Sequence, residues 1–156
     1  MVNILFICHG NICRSPMAEY VMKNLVREAG IEAAVKIASA ATSREEIGND
    51  IHPGTKRLLQ KEGIPFERRA ARQLTAGEYA DWDFLVAMDH NNLRNLRRII
   101  GEDTENKVSL LLDFSGERRD IADPWYTGDF DATYRDVLRG CKALLQEVKA
   151  RLGQSE

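Results

Sequence analysis

Apolar positions along the chain fall into two alternating rhythms. Val2 to Ile7, Val35 to Ser39, Phe84 to Met88 and Val108 to Leu112 are short, mostly apolar runs of strand length with no strict period of two. Between them the apolar residues recur at helical spacing. Ala18, Val21, Met22, Leu25 and Ala29 share one face, with Gly30 as the stop. A second helix is predicted from about Ile51 to Glu62, ended by Gly63, and a third carries Leu93, Leu96 and Ile100 between a cap at Asp89 and Gly101. Thr75 and Glu78 have capping-box spacing and open a short helical turn. After a cap at Asp131, the stripe Tyr134, Val137, Leu138, Cys141, Leu144, Leu145 and Val148 predicts the longest helix, with a disordered tail after Gly153.

Strands that are apolar throughout and alternate with helices imply an α/β fold, a parallel sheet covered on both faces. In such a sheet ligands bind beyond the carboxyl ends of the strands, where strand order reverses. The 156 residues suit one domain, 1–156, with a single substantial core. Hydrophobic residues at 44% and charged residues at 29% are ordinary for a soluble globular protein, and a net charge of -2 gives no sign of nucleic-acid binding. The apolar runs are too short for a membrane span, and the first leads directly into a polar loop, so no membrane partner and a cytoplasmic location are expected. Three cysteines in such a chain point to free thiols rather than a disulfide framework.

The chemistry concentrates at Cys8-His9-Gly10-Asn11-Ile12-Cys13-Arg14-Ser15-Pro16, which lies between the first predicted strand and the first predicted helix. A strand-to-helix turn presents main-chain N–H groups and the positive end of a helix to an anion. Beside a helix start and a fixed cation, a Cys8 thiol becomes a thiolate nucleophile, and the Arg14 guanidinium can hold two phosphate oxygens in a fork. Gly10 allows positive φ or close backbone approach, and Asn11 tolerates the left-handed region while its amide ties the loop together. Ser15 has two compatible readings, a helix cap ahead of Pro16 and a hydroxyl donor to the Cys8 sulfur. The lysine and glycine spacing of a nucleotide-binding loop is absent, and Cys8 and Cys13 have no matching pair for zinc, so neither cofactor nor metal is expected.

The string CHGNICRSPMAE resembles the signature of low-molecular-weight protein tyrosine phosphatases, with further likeness at SAATS (39–43), ARQLT (71–75), AMDHNNL (87–93) and ADPWY (122–126). The resemblance implies three layers around a four-stranded parallel sheet and metal-free phosphomonoester hydrolysis through a cysteinyl-phosphate. It assigns Cys8 as nucleophile, Arg14 and the loop amides as the oxyanion site, and Asp123 as the acid that protonates the leaving phenolate. Asn11 and Ser15 fall where the family holds the loop and steadies the thiolate. Trp125 and Tyr126 fall where an apolar wall would meet an aromatic ring, though both also suit plain surface packing. The implied substrate is a phosphotyrosine protein or a small aryl phosphate.

Several positions depart from the family pattern. Glu45 stands where many members place an aromatic beside the substrate, and Arg69 where a histidine often supports the nucleophile loop. His9 is at the variable position at the pocket rim. Cys13 resembles the second loop cysteine that can trap an oxidised Cys8 as a disulfide. Arsenate reduction on this scaffold needs further cysteines that the region around 80–90 lacks. Protein arginine phosphatases resemble the chain but carry threonine where Ile12 stands, and the larger Ile12 favours a flat phenolic substrate. A non-catalytic redox-sensing phosphate-binding module is disfavoured by the joint presence of Cys8, Arg14 and Asp123.

Overall fold

A computed structural model describes residues 1–154. Four parallel strands, β1 (Val2–Cys8), β2 (Val35–Ala41), β3 (Phe84–Ala87) and β4 (Val108–Leu110), form one sheet in the order β2-β1-β3-β4. Five helices, α1 (Arg14–Glu28), α2 (Pro53–Lys61), α3 (His90–Ile100), α4 (Pro124–Thr127) and α5 (Phe130–Gln154), are joined by 3₁₀ segments at Glu32–Ala34, Ala76–Asp81 and Leu111–Ser115. No described helix is long and apolar enough to cross a membrane.

The unbroken apolar run of β1 has a direct cause: both of its faces are covered. Val2, Ile4, Phe6 and Cys8 point into the layer of α1, α2 and α5, whereas Leu5 and Ile7 pack with Trp82, Leu85 and Leu96 on the α3 side. Ile4, Leu5, Phe6 and Ile7 are fully buried, each contributing about 1.5–3 kcal/mol of burial free energy. Pairing runs from Val2↔Val35 to Cys8↔Ala41 on one side and from Ile4↔Phe84 to Ile7↔Ala87 on the other. Strand order therefore reverses between β1 and β3, and the carboxyl ends of those two strands deliver Cys8 and Asp89 to one edge of the sheet.

The predicted elements form, with shifts at their ends. α1 starts at Arg14 with Cys13 as its N-cap and no side-chain cap bond, so Ser15 is not a helix cap but sits inside the first turn. The fourth strand stops at Leu110, because Asp113 draws the chain into a 3₁₀ turn by accepting the Leu110 N–H at 2.9 Å. The long helix begins at Phe130, where Asp129 rather than Asp131 accepts the Ala132 N–H at 2.9 Å. Asp131 instead pairs with Lys61 at 3.1 Å. α5 continues through Gly153 to Gln154, and the remainder of the expected disordered tail lies outside the described residues. The short helix α4 had no counterpart in the apolar pattern, since four residues are too few to show a period.

Candidate active site

The loop after β1 is shaped by one left-handed residue. Asn11 has φ 59°, which turns its main-chain N–H onto the Cys8 sulfur at 3.3 Å. Gly10 does not take positive φ. It serves the close approach instead, since a Cβ there would lie 3.2 Å from the side chain of Glu46. The Asn11 amide donates to Ser15 Oγ at 2.8 Å and to Ser39 Oγ at 2.9 Å, and its oxygen accepts the Arg72 N–H at 3.3 Å. Ser15 Oγ lies 3.0 Å from Cys8 Sγ, so the hydroxyl reading of Ser15 is the one the geometry carries. Ser39 Oγ donates in turn to Glu19 Oε1 at 2.6 Å, and Arg69 reaches Ser39 Oγ at 3.4 Å. Arg69 thus enters the buried network behind the loop, where burial holds its guanidinium below its ordinary pKa although Glu19, Tyr20 and Cys8 act in the opposite sense.

Arg14, at the first position of α1, is 2% exposed and fixed from three sides. Its Nη1 donates to Asp89 Oδ2 at 2.7 Å and to Ile121 O at 2.8 Å, and its Nη2 to Asp123 Oδ2 at 3.4 Å. Burial works against the charge, but Cys8, Asp123 and Asp89 outweigh it and hold the guanidinium above its ordinary pKa. Arg14 Nε is buried and donates to no protein acceptor. Asp123 is held by the turn that follows it: its Oδ1 accepts the Trp125 N–H at 3.1 Å and caps α4, with Pro124 at the first position.

One cleft is lined by Cys8, His9, Gly10, Ile12, Cys13, Arg14, Glu45, Asp123, Trp125 and Tyr126, joined by Glu46. Asn11 and Ser15 lie directly behind it, so every site residue expected from sequence is assembled at this edge of the sheet. His9 Nε2 meets Glu45 Oε2 at 2.8 Å across the mouth, in a pair whose two side chains are both exposed. Trp125 and Tyr126 are exposed at 57% and 82% and form one rim. Ile12 packs with Cys13, Ala71 and Phe130 while still bordering the cleft. Burial, and after it the neighbouring Cys8, push the Cys13 thiol up to about 12. Cys141 is buried in the main core, as its place on the α5 stripe predicted.

Sequence reasoning missed Asp89 as the partner of Arg14, although it saw the residue as a cap. One carboxylate does both tasks: Oδ1 accepts the Asn92 N–H at 2.7 Å and Oδ2 takes Arg14. The signal was its position at the carboxyl end of β3. Ser39 and Glu19 lie in the SAATS and CHGNICRSPMAE strings, but their roles, like that of the Ile121 carbonyl, were not legible there, because they depend on strands and loops meeting in space.

A model of the family described as low molecular weight phosphotyrosine protein phosphatase matches residues 3–154. Among curated proteins, the low molecular weight protein-tyrosine-phosphatase YfkJ of Bacillus subtilis is 38% identical over 151 residues, covering 96% of this chain and 97% of its own. The crystal structure of YfkJ superposes with a TM-score of 0.93 at 37% identity, over 97% of this chain and 96% of that one. PtpA of Staphylococcus epidermidis, likewise named a low molecular weight protein-tyrosine-phosphatase, is 35% identical over 149 residues, covering 95% and 94% of the two chains. The structure of DARP, a Drosophila arginine phosphatase, matches with a TM-score of 0.84 at 30% identity, over 94% and 97%. The loop, the arginine and the aspartate thus stand on a fold shared from end to end with these proteins, and the chain belongs to the low molecular weight phosphotyrosine protein phosphatase family.

Proposed function

We propose that the protein hydrolyses phosphotyrosine in proteins, and small aryl phosphates, without a metal ion. The observation that carries this reading is the convergence of Cys8, Arg14 and Asp123, from three separate elements, on one cleft. Cys8 Sγ attacks phosphorus and forms the S–P bond while the P–O bond to the phenol breaks. Ser15 Oγ and the Asn11 N–H, at 3.0 and 3.3 Å from the sulfur, support the thiolate before attack. Arg14 Nε, free of protein acceptors, and the loop amides are the donors for the equatorial oxygens as charge spreads in the transition state. Asp123 gives its proton to the leaving oxygen. It then takes one from the water that breaks the S–P bond and releases inorganic phosphate. Trp125 and Tyr126 supply the wall for a phenyl ring, and the free thiols suit a reducing cytoplasm.

Hydrolysis of an aryl phosphate in excess chelator, by wild type and by Cys8→Ser, tests this. Turnover that persists with chelator and disappears in the serine variant is expected; chelator-sensitive turnover, or an active serine variant, sinks the proposal. Asp123→Ala should lower turnover by roughly 10²–10⁴, with the loss shrinking as the leaving group improves. The second reading, phosphoarginine hydrolysis, is favoured by the likeness to DARP. Ile12 at the cleft wall favours the phenolic substrate, and side-by-side rates on phosphotyrosine and phosphoarginine decide between them.

A further inference from the structure

The start of α2 is bound to both halves of the site. The His52 main-chain N–H donates to Ile12 O at 2.9 Å, tying the residue to the nucleophile loop, and its Nδ1 accepts the Gly54 N–H at 2.9 Å, fixing the ring. The imidazole then lies between two aromatic side chains. It stacks on Phe130, with centroids 5.3 Å apart and planes at 23°, and meets Trp125 edge to face at 5.7 Å and 79°. Trp125 is two residues after Asp123 and gives it a hydrogen bond, and Phe130 begins the helix that follows, so the ring grips the acid-bearing turn at both ends.

Gly54 makes that grip possible. A Cβ there would lie 2.3 Å from Phe130 Cζ, so only a glycine lets the Phe130 ring settle on the α2 start. Phe130 also packs against Ile12 and Cys13 of the nucleophile loop. The chain leading into the turn has its own anchors, since the Ile121 N–H donates to Met88 O at 2.9 Å and its carbonyl accepts Arg14 at 2.8 Å, Thr133 Oγ1 donates to Ala122 O at 3.2 Å and Pro124 is buried, but Arg14 reaches the Asp123 carboxylate itself only at 3.4 Å.

We propose that His52, seated by Gly54, is a positioning residue for Asp123: its ring holds the Pro124–Thr127 turn against the nucleophile loop, so that the carboxylate stays at the cleft it shares with Cys8 and Arg14. This rests on the phosphatase reading above. Because His52 acts through Asp123, its removal shows where the proton matters. With aryl phosphates of graded leaving-group pKa, His52→Ala and Gly54→Ala should lower kcat about 10- to 100-fold for the poorest leaving groups and little for the best. His52→Phe, which keeps a ring, should retain most of the rate, whereas His52→Asn, which keeps an acceptor for the Gly54 N–H but no ring, should not. In an Asp123→Asn background, His52→Ala should cost nothing more.

Acrylamide quenching reads the docking without catalysis. Trp82 is buried, so extra quenching in His52→Ala and Gly54→Ala reports a released Trp125. Equal losses across leaving groups, a full His52→Ala loss in the Asp123→Asn background, or Trp125 quenching unchanged from wild type overturns the inference. Turnover that survives Cys8→Ser overturns the catalytic reading instead, and the quenching result still decides whether His52 holds the turn.

Discussion

Replacing Asn11 by alanine is the sharpest test of how the nucleophile loop is held. The residue is 1% exposed, and its amide makes two short side-chain bonds, to Ser15 at 2.8 Å and to Ser39 at 2.9 Å. Each is worth about 1 kcal/mol net. Alanine at φ 59° adds a left-handed penalty of about 1 kcal/mol that asparagine largely escapes through its local hydrogen bonding. The long bond from Arg72 adds little, so the loss comes to about 3 kcal/mol, or roughly 6–12 °C in melting temperature for a chain of this size. Equilibrium unfolding in urea, followed by the fluorescence of buried Trp82, measures it. Asn11→Asp separates shape from charge. It keeps tolerance of the left-handed backbone and an acceptor for the Arg72 N–H, but it buries a carboxylate and sets it against a Ser39 hydroxyl that already donates to Glu19, so it should be the less stable of the two. A carboxylate there draws the Ser15 hydroxyl away from the sulfur and opposes negative charge on Cys8, so its kcat/KM should fall further than that of Asn11→Ala. A loss below about 1 kcal/mol for Asn11→Ala, or an aspartate variant as active as wild type, would refute the reasoning.

Three further outcomes follow from the site and its surroundings. Asp89→Ala leaves a buried Arg14 without its 2.7 Å partner and should cost about 3 kcal/mol while raising KM, whereas Asp89→Asn, which keeps the α3 cap, should cost less; thermal melts and aryl phosphate kinetics read both, and an alanine variant melting with wild type rejects the pairing. Iodoacetamide near neutral pH should label Cys8 alone, since burial pushes the Cys13 thiol up to about 12 and raises that of Cys141 as well; peptide mass spectrometry showing Cys13 labelled as fast as Cys8 would contradict this. At Asp50, burial raises the pKa, but hydrogen bonds from Lys56 and from the N–H groups of Arg69 and Ile51 outweigh it and hold the carboxyl at about 2. A depressed folded-state value gives stability that is complete above the unfolded pKa near 3.9 and disappears as pH falls through about 2. Asp50→Asn should therefore melt below wild type at pH 6, and the gap should narrow from pH 4 downward; a constant gap would exclude the ion pair as its source.

Much of the site was legible because its central piece is local. Cys8 to Ser15 form one short loop, so residue types and spacing alone specify a thiol, a hydroxyl and a guanidinium around one anion. Asp123 was legible only through its Asp-Pro-Trp-Tyr setting and the family likeness, because nothing in the chain between marks its distance from Cys8. Ser15 shows the limit of local rules. Before a proline a serine looks like a cap, but α1 begins at Arg14, and the hydroxyl serves the sulfur instead. Gly10 and Asn11 divided the loop's tasks in a way spacing could not reveal, the asparagine taking positive φ and the glycine the close approach.

Taken alone, the sequence determined the alternating strands and helices, the parallel sheet and the loop that holds the nucleophile, since these depend on apolar period and on neighbours within a turn or two. Only the tertiary structure decided which carboxylate faces Arg14, that Ser39, Glu19 and Arg69 stand behind Asn11, and that His52 lies between Trp125 and Phe130. Those contacts join residues far apart in the chain. They exist because the reversal of strand order brings the ends of β1 and β3 to one edge, where the loops from both sides must pack against each other.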